Sequence, residues 1–337
     1  ETYTEQDEKD GFELVGLISF VDPIKSTTKT AVADAKALGV SIVILTGDSK
    51  EVASAVAKDA GIITSDTEVT TGNEFFALSS DEQHTRVNKL HVFARVTPEQ
   101  KYGVIKLLEE TREVGFLGEG MNDAPALKIA NVGMVVQHAS HIAQESSDII
   151  LMGKSLHVII EGIKQGRVTF ANTTKYIKAT LTSNFGNFYA VALASLMIDF
   201  LPMLPLQILL VNLLSDFPMI AVATDTVEAS ELRSPKNYDV KHITLIATIL
   251  GLVSTVFDFI FFGIFLSFGA SILQTNWFIG SILTELVLLF SIRTKGRFWK
   301  AQRPSWIILS LSITAAMATI AIPMTSFGQS VFHFTPP

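Results

Sequence analysis

Apolar runs of membrane-spanning length recur between about residues 179 and 323, and no other feature constrains the fold as tightly. Five stand out, at about 179–200, 203–223, 243–267, 272–292 and 304–323. Each is near the roughly 20 residues needed to cross a bilayer core. Backbone amides in hydrocarbon must be satisfied within the segment, so runs of this length predict a bundle of helices. Residues 1–165 read differently, with mixed charge and ordinary globular composition. The chain-wide averages, 48% hydrophobic residues and a mean hydropathy of +0.38, conceal that division. Two domains are expected, 1–165 and 166–337.

They meet in a stretch without proline, Gly166 to Met197. It opens polar, through Arg167, Asn172, Lys175 and Lys178, and closes apolar, from Phe188 to Met197. As one helix it would be roughly 50 Å long, against a hydrocarbon core of about 30 Å. Such a rod could stand partly in water and partly in lipid and carry a push between them.

Upstream, short apolar runs alternate with segments of helical spacing. Strands are predicted at Leu14–Phe20, Ser41–Leu45, His91–Val96, 114–117, Val132–Val136 and Asp148–Met152. Helices are predicted at 28–38, 49–60, 97–110 and 124–130, with a further one before the last strand. Residues 64–88 are polar and carry no assignable period. The alternation predicts a parallel, doubly wound sheet, whose ligands gather at the carboxyl ends of its strands. Loops with functional side chains fall at that edge: Asp22, Thr46-Gly47-Asp48, and Glu119 to Asp123. Lys101, just inside a helix that starts at Thr97-Pro98-Glu99, is placed to reach them. Singly these are a capping turn, a solvated lysine and a glycine turn. Together they suit phosphate chemistry: a hydroxyl and amides for a phosphate, a lysine for its charge, and carboxylates for Mg²⁺.

Three segments carry a closer resemblance: Thr46-Gly47-Asp48, Thr97-Pro98-Glu99-Gln100-Lys101, and Gly118-Glu119-Gly120-Met121-Asn122-Asp123-Ala124-Pro125-Ala126-Leu127. In order and spacing they resemble the phosphorylation domain of P-type ATPases, members of the haloacid dehalogenase superfamily. The membrane half is similar to the bacterial magnesium-transporting branch. The resemblance there rests on Ser183-Asn184-Phe185-Gly186-Asn187, Leu201 to Leu206, Asn212-Leu213-Leu214-Ser215-Asp216 and Ile292-Arg293-Thr294. It implies an α/β, Rossmann-like cytosolic domain followed by a helical transmembrane bundle in the plasma (inner) membrane, coupling aspartyl-phosphate chemistry to cation transport. Thr46 and Gly47 would hold the phosphoryl group, with Asp48 beside them and Lys101 balancing its charge. Residue 119 would ligate catalytic Mg²⁺, with Asn122 and Asp123 completing the site and Asp22 at its edge. ATP would be the parent protein's substrate.

Two departures matter. The family's phosphorylated aspartate lies in an Asp-Lys-Thr-Gly-Thr run, which this sequence lacks. The resemblance also implies partners from outside the chain: actuator, nucleotide-binding and first membrane segments. With Glu1 in place of an initiator Met, the sequence reads as a piece of a longer protein, missing a last helix as well and inactive alone. Second, the family has Asp where this chain has Glu119, one methylene longer, which is expected to weaken a Mg²⁺ site that demands near-ideal octahedral geometry.

Within the spans, Asn184 and Asn187 lie three apart on one run, and Asn212 and Asp216 four apart on the next. A turn at Leu201–Pro205 would make these runs antiparallel neighbours, so the four are expected to converge on a transported cation. Pro218 should free carbonyls nearby. Amides that merely staple helices together are the plainer alternative. Asp258 and Glu285 are the other acidic residues in the spans, candidates for pairing groups or for the site. A lone carboxylate with amides suits a partly hydrated Mg²⁺, or a proton on Asp216, better than a dry Ca²⁺ cage. The basic segment from Arg293 to Arg303 places that loop, and with it residues 1–165, in the cytoplasm. The net charge of −7 argues against a nucleic-acid partner, and the lack of cysteine excludes thiolate metal sites. The competing expectation is a non-catalytic membrane protein that acts by binding a partner, or a pump for H⁺ or Ca²⁺. A soluble phosphatase of the superfamily does not accommodate five spans.

Overall fold

The computed structural model describes residues 15, 16, 18, 23–153, 155–294, 296, 297 and 300–336. It forms two compact units: Glu1–Lys36 with Val40–Val158, and Ala37–Gly39 with Ile159–Pro337. The expected strand at Leu14–Phe20 and the candidate Asp22 lie outside the described residues, apart from Val15, Gly16 and Ile18.

In the first unit, α1 (Thr28–Ala37) is followed by β1 (Ile44–Leu45), α2 (Lys50–Asp59) and β2 (Val69–Thr71). Then come α3 (Gly72–Phe76), α4 (Ser80–Val87), β3 (Val92–Ala94) and α5 (Pro98–Glu109). The remainder is β4 (Gly115–Gly118), α6 (Ala124–Ile129), β5 (Val132–Val136), α7 (His141–Glu145) and β6 (Ile149–Leu151). Every recorded pairing is parallel, in the orders β1-β3-β2 and β4-β5-β6. The single sheet expected from sequence is thus observed as two three-stranded sheets. β1 and β4 end their respective orders and share no recorded hydrogen bonds. Side chains still join them: Leu45 and Phe116 pack on one cluster built on Ile105, Ala126 and Ala130 of α5, α6 and the turn after α6.

The polar stretch 64–88, unassigned from sequence, is made of short capped elements. Ser65/Glu68, Thr71/Glu74 and Ser79/Glu82 each form a reciprocal capping box, as Thr97/Gln100 does at the start of α5. Each box satisfies two otherwise orphaned amides, which lets a turn or two of helix persist on a few apolar anchors such as Phe75 and Val87.

In the second unit, α8 (His157–Ala194, 38 residues) runs unbroken, though its first two residues belong to the first unit. It is followed by α9 (Pro205–Ile220), α10 (Ala229–Leu232), α11 (Val240–Phe265), α12 (Ala270–Ile292), α13 (Trp306–Met324) and α14 (Ser326–Phe332). Four described helical segments are long and apolar enough to cross a membrane: Pro205–Thr224, Val240–Phe268, Ala270–Ile292 and Trp306–Met324. The fifth run, 179–200, is not among them. Its helix ends at Ala194, and turns occupy the next residues. It packs into the bundle nonetheless, with Ala179, Thr182, Ser183, Gly186, Ala190 and Ala194 buried.

Glycine sets the close approach of α8 and α11. A Cβ on Gly251 would lie 3.0 Å from Cβ of Phe185 and 3.1 Å from the amide of Gly186. Small residues let helix backbones meet in this way inside bundles. Thr255 bridges the crossing, its hydroxyl shared between the carbonyls of Gly251 at 2.9 Å and Gly186 at 3.3 Å. This crossing fixes the rotation of α8 about its own axis. The main core of the unit gathers around Trp277, Phe278, Ile282 and Leu286 of α12.

A buried ion cluster ties the polar ends of these helices. The Asp225 side chain, fully buried, accepts from Arg293 at 2.8 and 3.1 Å and from Lys175 at 3.0 Å. Asn172 donates to the Asp225 carbonyl at 2.8 Å. Two cations on one carboxylate, with backbone partners besides, supply the compensation that a buried charge needs.

Candidate functional site

In the first unit the candidates fall into two pairs, each at the carboxyl end of a strand. After β1, the Thr46 hydroxyl donates to Oδ2 of Asp48 at 2.8 Å and accepts from the Asp48 amide at 3.1 Å. The loop is fastened to the end of β3 by Thr46 N to Phe93 O, Val96 N to Thr46 O and Arg95 N to Asp48 O, all near 3 Å. Arg95 takes a left-handed φ of 49° to make its bond. Gly47 is exposed at the tip.

The second pair joins Asp123, after β4, to Lys101 in the first turn of α5. Lys101 Nζ donates to Oδ1 of Asp123 at 2.8 Å, and both side chains are largely buried, 18% and 14% exposed. The Thr97 box and Pro98 fix the first turn of α5 and so the origin of the lysine. Oδ2 of Asp123 accepts from the amides of Glu119 at 3.1 Å and Gly120 at 3.3 Å. Burial pushes the Asp123 carboxyl up, but the Lys101 bond, the Glu119 and Gly120 amides and the Lys101 charge outweigh it, and the net shift is downward. Gly118 is required here, because a Cβ on it would lie 2.9 Å from Cβ of Asp123. Asn122 is exposed and has no recorded side-chain hydrogen bond. Nothing recorded joins the Thr46–Asp48 pair to the Lys101–Asp123 pair.

For Mg²⁺ the described residues offer two neighbouring carboxylates of unlike state. Glu119 is exposed with no recorded side-chain partner, and Asp123 has both oxygens engaged. No group of three His, Asp or Glu suited to a metal occurs among the described residues. That donor set fits an ion that takes one or two protein carboxylates and keeps several waters.

In the second unit a polar cluster has Glu285 of α12 at its centre, 3% exposed. Its Oε1 accepts from Ser183 Oγ at 2.7 Å and from Asn187 Nδ2 at 2.9 Å, both on α8. Ser281, one turn earlier on α12, donates to Oδ1 of Asn187 at 3.3 Å. Oε2 of Glu285 is buried and has no partner among the described residues. Ser215 of α9 approaches the same carboxylate, and the charge of Asp216, itself exposed, acts on it. Of the four residues expected to converge, the structure brings Asn187 to Glu285 and leaves Asn184, Asn212 and Asp216 exposed. Pro218 lies inside α9 one turn after Leu214, whose carbonyl it leaves without the usual helical donor. Ser183 and Ser281 escaped sequence reasoning. The usable signal was the i, i+4 spacing of Ser183 to Asn187 and of Ser281 to Glu285.

Residues 2–131 match the family model for haloacid dehalogenase-like hydrolases, and residues 200–337 that for the C-terminus of cation transporting ATPases. The chain is 38% identical to the magnesium-transporting ATPase, P-type 1, of Escherichia coli (strain K12), over 97% of its own length and 37% of the relative's. A putative cation-transporting ATPase of Methanocaldococcus jannaschii is 31% identical over 96% of this chain and 41% of its own. A calcium-transporting ATPase of Bacillus subtilis is 34% identical over 69% and 26%. The chain thus spans about two fifths or less of each of these relatives. A hydrolase-type α/β unit, a bundle of apolar helices with a buried carboxylate cluster, and matches running across both place the chain in one family: it belongs to the cation-transporting P-type ATPases.

Proposed function

We propose that this chain is the part of an ATP-driven cation pump that couples phosphoryl chemistry to transport, with Mg²⁺ as the transported ion. The observation that carries the reading is the Glu285 cluster. A carboxylate deep in a bundle, held through one oxygen by neutral donors and free at the other, is costly unless it takes a cation or a proton, and the several oxygens and amides gathered around Glu285 suit a cation. Asp216 adds a second carboxylate, and Ser183 and Asn187 add neutral oxygens and amides. Ca²⁺ takes six to eight oxygens, whereas Mg²⁺ retains water and needs few protein ligands, so this sparse set favours Mg²⁺. Asn184 and Asn212 belong to the transport path through the exposed faces of α8 and α9.

In the first unit, Thr46 and Gly47 hold the phosphoryl oxygens, Asp48 orients the Thr46 hydroxyl, and Lys101 balances the phosphoryl charge. Asp123 holds Lys101 and the Glu119–Gly120 turn in place, and Asn122 reaches toward the transferred group. Glu119 and Asp123 hold a catalytic Mg²⁺, which when bound neutralises charge on the phosphoryl oxygens. Asp22 stands at the same edge. ATP is the substrate of the full-length protein, which supplies the phosphorylated aspartate and the actuator, nucleotide-binding and first membrane segments. The first unit faces the cytoplasm of a plasma membrane, a placement supported by the basic 293–303 segment.

The test is ATP-driven Mg²⁺ uptake by the full-length protein in proteoliposomes. Glu285→Gln, which keeps the size and the acceptor oxygen, is expected to reduce uptake at least about tenfold, the cost of weakening a charge-assisted contact by some 1.4 kcal/mol or more. Undiminished uptake removes Glu285 from the path. A second reading, a non-catalytic membrane protein that binds a partner, is favoured by Glu119, whose longer side chain stands free of its neighbours. Glu119→Asp separates the two. A pump slowed by a displaced ligand gains ATPase activity several-fold, and a non-catalytic protein gains none.

A further inference from the structure

Asp258 lies within α11, 2% exposed, and takes no part in the cluster around Glu285. Its Oδ1 accepts a 2.7 Å bond from the indole Nε1 of Trp277 on α12. Its Oδ2 is buried and has no hydrogen-bond partner among the described residues. No recorded ion pair includes it; the buried pairs of this unit converge on Asp225 instead. The indole cannot follow a departing ligand. Trp277 is 1% exposed, with its ring against Phe262 at a centroid distance of 4.8 Å. One oxygen is therefore held by a fixed neutral donor, and the other is left open in an apolar interior.

Three roles compete for such a group. As a helix staple it needs only Oδ1, and an amide would serve as well without the cost of a buried acid. As half of a salt bridge it needs a cation, and none is recorded. As a site that gains and loses a proton, it needs an open oxygen, no counter-ion and a fixed second oxygen, and those are the features observed. Its surroundings are nearly free of competing charge. On α11 the other titratable residues are Lys241 and His242, more than three turns away at the helix start. On α12 the charged group acting on Asp258 is Glu285, and behind that lies Asp216 of α9. Beyond Lys178, α8 carries only Tyr189, and α13 carries none. Trp277, Ser281 and Glu285 recur every fourth residue on one face of α12, so Asp258 stands two turns along that face from the cation cluster.

We propose that Asp258 is a proton-binding site of the transport cycle, separate from the cation cluster, whose Oδ2 carries a proton in the direction opposite to the metal ion. An O–H bond forms at Oδ2 as an O–H bond of a hydronium ion breaks on one side of the membrane, leaving water. On the other side the Oδ2–H bond breaks as a water molecule takes the proton and becomes hydronium, and the carboxylate is restored.

The proposal rests on the pump reading, and the experiment separates their failures. Full-length protein is reconstituted in vesicles with an internal pH indicator, and ATP-driven Mg²⁺ uptake and proton movement are recorded together. Wild type is expected to move protons against Mg²⁺. Asp258→Asn keeps an acceptor for Trp277 but cannot titrate, and its ratio of protons to Mg²⁺ is expected to fall below about a fifth of wild type. Asp258→Glu is expected to restore most of it. Trp277→Phe keeps the acid and an aromatic ring while removing the donor, and is expected to move the pH profile of proton movement by about one unit. It keeps the test open should Asp258→Asn fail to assemble. A wild type without ATP-driven uptake overturns the pump reading and this proposal with it. A wild type that pumps Mg²⁺ without protons, an Asp258→Asn pump with the wild-type ratio, or an unmoved Trp277→Phe profile overturns this proposal alone.

Discussion

Lys101 and Asp123 constrain each other, and acid is the reagent that reveals it. The Asp123 carboxyl is held below its ordinary range despite its burial, by Lys101 and two amides. The Glu74 carboxyl is held at about 2 by the Thr71 amide of its capping box and by Lys50. Both are depressed in the folded chain, so their contribution is present above the unfolded value near 4 and is lost as pH falls through the folded values. Glu74 is half exposed and solvent screens its share. An acid titration followed by circular dichroism should therefore show the first unit weakening between about pH 4 and pH 2, with a shallower dependence in Asp123→Asn. An unchanged slope in that variant would show that the Lys101 contact contributes nothing. The placement of Thr46, Asp48 and Asp123 after strands and of Lys101 in a first helical turn was legible from sequence. The pairing was not, because a loop's hydrogen bonds depend on backbone turns such as Arg95's that no spacing announces.

At the scale of elements, the crossing of α8 and α11 decides which polar side chains form the cluster. With Gly186 against Gly251, the stripe that turns inward is Ser183, Asn187 and Ala190. Asn184 is about 100° round from Ser183 and stays outside. Spacing within one helix placed Asn184 and Asn187 on a common face, which is true to within a wide sector. Which edge of that sector faces the neighbour is set by the glycine contact, a property of two segments more than sixty residues apart. Gly251→Leu, which puts a branched side chain where Phe185 and the Gly186 backbone already sit, is expected to separate the helices and lower thermal stability by about 1–3 kcal/mol. Mg²⁺ affinity should fall with it, measured by a shift in the Mg²⁺ concentration giving half-maximal ATPase activity. Unchanged affinity in a stable variant would mean that the crossing does not orient the cluster. The capping boxes teach the converse lesson. Ser65-x-x-Glu68, Thr71-x-x-Glu74 and Ser79-x-x-Glu82 were readable as helix starts, but helices this short bury only one or two large apolar side chains, such as Phe75 and Val87, too few to set a period.

For the whole molecule, the expected sequence of an α/β unit followed by a helical bundle is observed, and the compact units part at Val158, with Ala37–Gly39 counted in the second. Composition made that order legible, because water and lipid select different residues over long stretches. Composition could not find the end of α8, whose apolar residues continue past Ala194 into turns. The central claim of the proposed function concerns this helix: its 38 unbroken residues, about 57 Å at 1.5 Å per residue, would link phosphoryl chemistry to the Glu285 cluster. Gly166 is the place to interrupt it, since nothing lies within 4 Å of the Cβ that a substitution would add there. The most direct test is Mg²⁺-stimulated ATP hydrolysis by the full-length protein carrying Gly166→Pro, with Gly166→Ala as control. Proline removes a helical hydrogen bond and kinks the rod at a cost of about 3 kcal/mol, whereas alanine stiffens it. The account predicts that Gly166→Ala keeps the stimulation. In Gly166→Pro it should drop at least about tenfold, while phosphorylation without Mg²⁺ transport persists. Full stimulation in Gly166→Pro would contradict it.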